Sequence, residues 1–266
     1  MSLADLTRDL IAEQDDLDSI VSSLDPGALA LATPSPRWSI ADQIAHLAFF
    51  DKTAALAIND EEAFVAHRKE MLSTIAGDDS DEATLGAYRS MSDDELLASW
   101  RSARADLAAA AATLGEKQRV EWYGPSMGAK SFLTARLMEA WAHGQDIADT
   151  AGVERSPSNR LIHIAQLGVI TQKWSFIVRR EDPLPIDVAV SLEPPEGGDA
   201  WMWGDQELPD RVTGPAEDFC LVVTQRRHVD DTQLVTNGEH ARRWLLNAQA
   251  FAGGATTGPQ PTGQPS

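Results

Sequence analysis

Along the first 180 residues, apolar side chains recur every three or four positions, the pattern of helices that bury one face. Residues 3 to 24 set Leu3, Leu6, Leu10, Ile11, Leu17, Ile20 and Val21 in one stripe. Pro26, Pro34 and Pro36 then break the chain. A second helix begins near Ser39, where Asp42 three residues on resembles a capping box with Asp in place of the usual Glu. Its apolar positions are Ile40, Ile44, Leu47, Ala48 and Leu56. A polar helix is expected over 60–76, ending at Gly77, followed by an acidic loop over 78–81. Ser92-Asp93-Asp94-Glu95 starts an alanine-rich helix that runs to Gly115. Gly124, Pro125 and Gly128 predict a long ordered loop over 116–130. Two more helices follow, over 131–150 with Gly152 as the stop, and over 159–179. Four long helices with a short extra one predict an up-and-down bundle with a crossover insertion.

The texture changes after Pro183 and Pro185. Ile186 to Leu192 alternates as a strand does, and Trp201-Met202-Trp203 follows a Pro-Pro-Glu-Gly-Gly turn. Residues 214–226 read as helix, Gln233 to Thr236 as strand, and Glu239 to Phe251 as helix. The expected organisation is therefore mainly α: a helical bundle over 1–182, a small α+β domain over 183–252, and a disordered Gly/Pro/Thr/Gln-rich tail over 253–266.

Charge narrows the partners. The 22 Lys and Arg face 41 Asp and Glu, a formal net charge of -19. Such a surface repels nucleic-acid phosphates and anionic membranes. No signal peptide and no run of about 18 apolar residues is seen, so a cytoplasmic address is expected. Cys220 is the only cysteine, which excludes an intramolecular disulfide and a Cys-based zinc site. Any metal site must use His, Asp and Glu.

One segment carries candidate chemistry. Glu139-Ala-Trp-Ala-His143 puts a carboxylate and an imidazole four residues apart on one helix face, where both can hold one ion. The alternative is a solvated face or a buried polar contact. Asp146, three residues beyond, is a candidate fourth ligand or an acceptor that orients the imidazole. His46 lies in an otherwise apolar helical stretch, Ile44 to Phe50, where a buried imidazole needs a partner. A core His bonded to a carbonyl or carboxylate is the plain reading; a metal shared between inward-facing helices is the other. Two His and one Glu would leave open positions, as catalytic zinc sites do, and do not separate zinc from nickel, iron or manganese.

Trp38-Ser39-Ile40-Ala41-Asp42-Gln43-Ile44-Ala45-His46-Leu47-Ala48, with Glu139-x-x-x-His143-x-x-Asp146, resembles the mycothiol-dependent maleylpyruvate isomerase family of the DinB-like metal-binding superfamily. Members carry W-[ST]-x-x-[DE]-x-x-x-H-[LI] and E-x-x-x-H helices, whose two His and one Glu hold zinc. Those roles map onto His46, Glu139 and His143. The stretch from Trp201 to Gly204, with Val212 to Phe219, resembles the family's small second domain. There an arginine after the helix reaches the active site. Arg226 is the best match and Arg227 the second, although Gln225-Arg226-Arg227-His228 stands where a Gly-Arg pair is usual.

The resemblance implies a thiol chemistry. A low-molecular-weight thiol, mycothiol as co-substrate, takes the open metal position and becomes nucleophilic at neutral pH. In the isomerase it adds to a double bond, permits rotation and leaves; other relatives transfer the thiol to a small substrate. Arg226 would bind an anionic group of thiol or substrate. The alternatives are a non-catalytic module stapled by its metal and a metal-dependent hydrolase with Asp146 as base. Bundles of this type often pair, so a homodimer is a further expectation. Elsewhere, His67, His228 and His240 read as exposed, His163, Trp141 and Trp174 as core, and Cys220 as a packed small apolar residue. Tyr123 is a residue that could line the site, and Asp42 one that could both cap its helix and support a ligand.

Overall fold

The computed structural model describes residues 2–74 and 80–263. Contacts divide the chain into two compact units, Met1–Arg155 and Ser156–Ser266.

The first unit contains α1 (Leu3–Ser22), α2 (Ile40–Asn59), α3 (Glu61–Thr74), α4 (Ser80–Arg89), α5 (Asp93–Ala111) and α6 (Ala129–Ala151). Four of them close a ring, with α1 against α5 and α6, and α2 against the same two. Helices α3 and α4 pack on α2. Three helices start with reciprocal capping boxes, Ser2 with Asp5, Ser39 with Asp42, and Ser92 with Glu95. Helix α6 ends at Gly152, whose φ of 66° closes the last turn through bonds to the Ala148 and Asp149 carbonyls.

Partners on several sides bury α2 nearly all round. Ile40, Ile44, Leu47 and Ala48 are sealed, and the small Ala54, Ala55 and Ala57 permit close approach. The core joins Leu17, Ile40, Ile44, Leu47 and Trp100. The loop expected over 116–130 contains a short antiparallel hairpin, β1 (Arg119–Val120) and β2 (Met127–Gly128). The expected helix end at Gly77 lies outside the described residues, and so does the first part of the acidic loop. Asp81 belongs to α4, a helix the periodicity did not suggest.

The second unit holds α7 (Leu161–Ile170), α8 (Gln172–Ile177), β3 (Ala189–Glu193), β4 (Trp201–Trp203), β5 (Arg211–Pro215), α9 (Ala216–Val223), β6 (Val235–Asn237) and α10 (Glu239–Asn247). Its sheet runs β4-β3-β5-β6, with β3 and β5 parallel and the outer pairs antiparallel. The helix expected over 159–179 is two helices meeting at Thr171. It groups with this unit, not with the bundle: α7 packs on α9, and α8 on α10. The reason is shape, because Gly168 lets α7 approach Val223 and Phe219 of α9 closely. Residues 253–263 form no helix or strand. They are nonetheless tied to this unit, Thr256 Oγ1 to Gln225 and Gln249, and the Thr262 amide to Asp231. Among the described residues, no helix is long and apolar enough to cross a membrane.

Candidate metal centre

His46 on α2 and Glu139 and His143 on α6 converge inside the first unit. Glu139 Oε2 lies 3.3 Å from His46 Nε2 and 3.0 Å from His143 Nε2. One ligand atom from each of the three residues falls within 4.8 Å of the others, and among the described residues this is the group able to hold a metal ion. A tetrahedral ion with bonds of about 2.0–2.1 Å sets its ligand atoms about 3.3 Å apart, so the donor set fits one ion with little adjustment. Its electrostatics fit as well. Burial pushes the His46 imidazole down to about 4, and the neighbouring His143 acts in the same direction. Burial alone would raise the Glu139 carboxyl, but hydrogen bonds with His143 and His46 outweigh it and hold it well below the usual carboxylate range. At neutral pH, His46 thus offers a lone pair and Glu139 a negative charge, and both favour a cation between them.

The surroundings hold these side chains in place. Trp38 lies 5.1 Å from the His46 ring and stacks at 5.9 Å on His143, while Phe50 meets His46 at 4.6 Å. Trp38 is fixed by its indole N–H bond to Asp81 and by the turn before it, where Arg37 takes a φ of 70°. His143 Nδ1 makes a short bond to Gln43 Oε1, and Gln43 Nε2 donates to Thr33 Oγ1. One turn before Glu139, buried Arg136 bonds Asp51 of α2 at 3.0 Å, and Gln14 of α1 donates to the same carboxylate. This three-helix clamp sets α6 against α2, so the two metal-bearing helices keep their register.

The family described as the mycothiol maleylpyruvate isomerase N-terminal domain matches residues 10–148. The chain belongs to that family. Two curated relatives in Mycobacterium tuberculosis, from strains CDC 1551 / Oshkosh and ATCC 25618 / H37Rv, are 44% identical over 245 residues. Each alignment covers 92% of this chain and 94% of the relative, and both relatives bear the name uncharacterized protein. Crystal structures of the mycothiol-dependent maleylpyruvate isomerase and of a mutant of it share the fold. Their TM-scores are 0.56 and 0.59 at 16% and 15% identity, covering 85% and 89% of this chain and 90% and 93% of theirs. The architecture is that of a maleylpyruvate isomerase-like protein, mainly helical with a small sheet region.

Within this family member the other expected site residues fall in different places. Asp146 Oδ2 is 3.9 Å from His143 Nδ1, on the ring edge away from Nε2, and accepts from Ser35. It is therefore not brought into the ligand cluster, and the acceptor for His143 is Gln43. Asp42 takes bonds from Ser39 and, at 2.7 Å, from Arg89. Arg226 and Arg227 follow α9 in the second unit, donating to the Thr224 and Arg226 carbonyls. His67, expected to be exposed, is half-buried and bonds the Tyr123 hydroxyl at 3.1 Å. Tyr123 packs against Phe50, and Phe50 in turn against His46. His163 is buried in the second unit, and Trp174, expected in the core, is 38% exposed. Cys220 is sealed, and burial holds its thiol well above the usual range, so it is no nucleophile. Gln43, Asp51 and Arg136 were not singled out from the sequence. The available signal was polar residues at inward helix positions, Gln43 within the Ile40–Ile44–Leu47 stripe and Arg136 within Phe132–Glu139–His143.

Proposed function

We propose that this chain is a metal-dependent enzyme that uses a low-molecular-weight thiol, mycothiol, for isomerisation or S-transfer on a small electrophile. The observation that carries the reading is the convergence of His46, Glu139 and His143 in a member of the mycothiol maleylpyruvate isomerase family. The three side chains hold a divalent ion, zinc first and nickel, iron or manganese as alternatives. When bound, such an ion supplies Lewis acidity that lowers the pKa of a coordinated thiol toward neutral pH. Three protein ligands leave room for that thiol, where a closed structural site would use four. Trp38 and Phe50 shield the histidines from water, and Glu139 supplies the negative charge that retains the cation. Arg226, with Arg227 as second choice, binds an anionic group of thiol or substrate, as the family resemblance implies. The hydrolytic alternative loses support because Asp146 neighbours Nδ1 of His143 and not Nε2.

The test is metal content by plasma mass spectrometry on wild type and His46→Ala, purified without chelator, followed by turnover with mycothiol. About one divalent ion per wild-type chain, lost together with activity in the variant, is expected. Arg226→Ala should keep its metal and raise KM for the thiol. Activity in a metal-free protein would refute the reading. Bound metal whose spectrum ignores added thiol would instead favour a structural ion.

A further inference from the structure

We propose that Gln43 is the positioning residue of the metal centre, fixing His143 as the tautomer that carries its proton on Nδ1 and presents Nε2 to the ion. The proposal rests on the metal-centre reading above and adds the device that prepares one of its ligands.

The polarity of the network is set at its outer end. The Trp38 carbonyl oxygen can only accept, so the Thr33 hydroxyl, 2.9 Å away, donates to it. With its single proton committed there, Thr33 Oγ1 is an acceptor toward Gln43, also at 2.9 Å, and so faces the amide nitrogen. The amide oxygen is then the atom turned to His143 Nδ1. That oxygen can only accept, so Nδ1 bears the hydrogen. The lone pair that can bind an ion is then the one on Nε2, the ring nitrogen on the Glu139 side.

Gln43 is the hydrogen-bond partner of Nδ1, while Glu139 faces the other ring nitrogen. Gln43 is 0% exposed, so no solvent can turn its amide over. Asp146 Oδ2, at 3.9 Å from Nδ1, is beyond hydrogen-bond reach and accepts from Ser35 Oγ at 3.3 Å. The backbone gives the chain of bonds a rigid anchor: the Thr33 amide donates to the same Trp38 carbonyl at 2.8 Å, and the Ile40 amide to Leu31 at 3.0 Å. The irregular segment before α2 thereby acts through Gln43 on a ligand of α6, 100 positions away. Residues that orient a ligating imidazole in this way are worth about 10–100-fold in metal affinity.

The experiment combines nitrogen-15 NMR of the histidine rings in the metal-free full chain at pH 8 with zinc affinity, measured by competition against a chromogenic chelator. Loss of signals in His143→Asn assigns the ring. Wild type should show His143 with its hydrogen on Nδ1. Gln43→Leu should shift His143 toward the Nε2–H form and weaken zinc binding about 10–100-fold. Gln43→Glu, which can accept the same bond, should keep both properties near wild type. Should Gln43→Leu fail to fold, Thr33→Val removes only the hydroxyl that orients the amide, and should move tautomer and affinity in the same direction. A wild-type His143 without hydrogen on Nδ1, or an unchanged zinc affinity in the folded Gln43→Leu protein, would overturn the proposal. Wild type that binds no zinc while His143 carries Nδ1–H would overturn the metal centre itself and leave the tautomer assignment supported.

Discussion

His46 owes its chemistry to the burial of α2. An exposed imidazole titrates near 6.5, whereas inside the bundle, with His143 beside it, the His46 ring is pushed down to about 4. Between those two values the unfolded chain binds the extra proton, so the stability of metal-free protein must fall as pH drops from 6.5 toward 4. From pH 7 to pH 5 the loss should be about 2 kcal/mol. Glu139 acts in the same direction lower down. Its folded carboxyl is held low, so its contribution is present above 4.5 and is lost as pH falls further. Urea unfolding of chelator-treated protein at both pH values, beside His46→Leu, reads this directly. The variant should show the shallower pH slope; equal slopes would mean His46 is not desolvated in the folded chain. The sequence already marked His46 as odd, an imidazole among Ile44, Leu47 and Phe50. It could not say that Gln43, three residues earlier, would answer His143 instead of Asp146, since that pairing depends on how α2 is rotated against α6.

At the scale of elements, local signals were reliable where the physics is local. The boxes at Ser39 and Ser92 start α2 and α5 as their side-chain chemistry dictates, and Gly152 stops α6. Periodicity predicted a helix over 159–179 as well, but it reports only that a face is apolar and not what covers that face. Gly168 decides the partner of α7. A Cβ there would come within 2.9 Å of both Val223 methyls and 3.0 Å of the Phe219 ring. Gly168→Ala should therefore lose about 1–3 kcal/mol to overpacking, offset by about 1 kcal/mol of better helix propensity. Chemical unfolding of the full chain should show a net destabilisation of up to about 2 kcal/mol. A stabilised variant would mean that α7 and α9 do not approach as closely as described. Metal content should be unchanged, because the ligands belong to the first unit.

For the whole molecule the dominant fact is 41 acidic against 22 basic side chains. A net charge of -19 opposes compaction through self-repulsion, and salt screens it. The screening length shortens from about 30 Å at 0.01 M to about 8 Å at 0.15 M. Metal-free protein should accordingly melt higher at the greater ionic strength; about 1 kcal/mol corresponds to roughly 2–4 °C at this size. A melting temperature that falls with sodium chloride would show that specific ion pairs, such as Arg101–Asp18 and Arg104–Asp18, outweigh the general repulsion. The buried Arg136–Asp51 pair is screened least and should contribute little to the salt response.

The sequence by itself determined the starts of α2 and α5 at Ser39 and Ser92, the stop of α6 at Gly152, and that any metal site must draw on His, Asp and Glu. Each of these depends on neighbours within a turn or on composition alone. Only the tertiary structure decided that α7 and α8 group with the sheet, and that Glu139 meets two imidazoles instead of one. It also decided that Gln43, and not Asp146, makes the hydrogen bond at His143 Nδ1. Those outcomes turn on helix rotation and on close approach between side chains 93 and 100 positions apart, which no local pattern encodes.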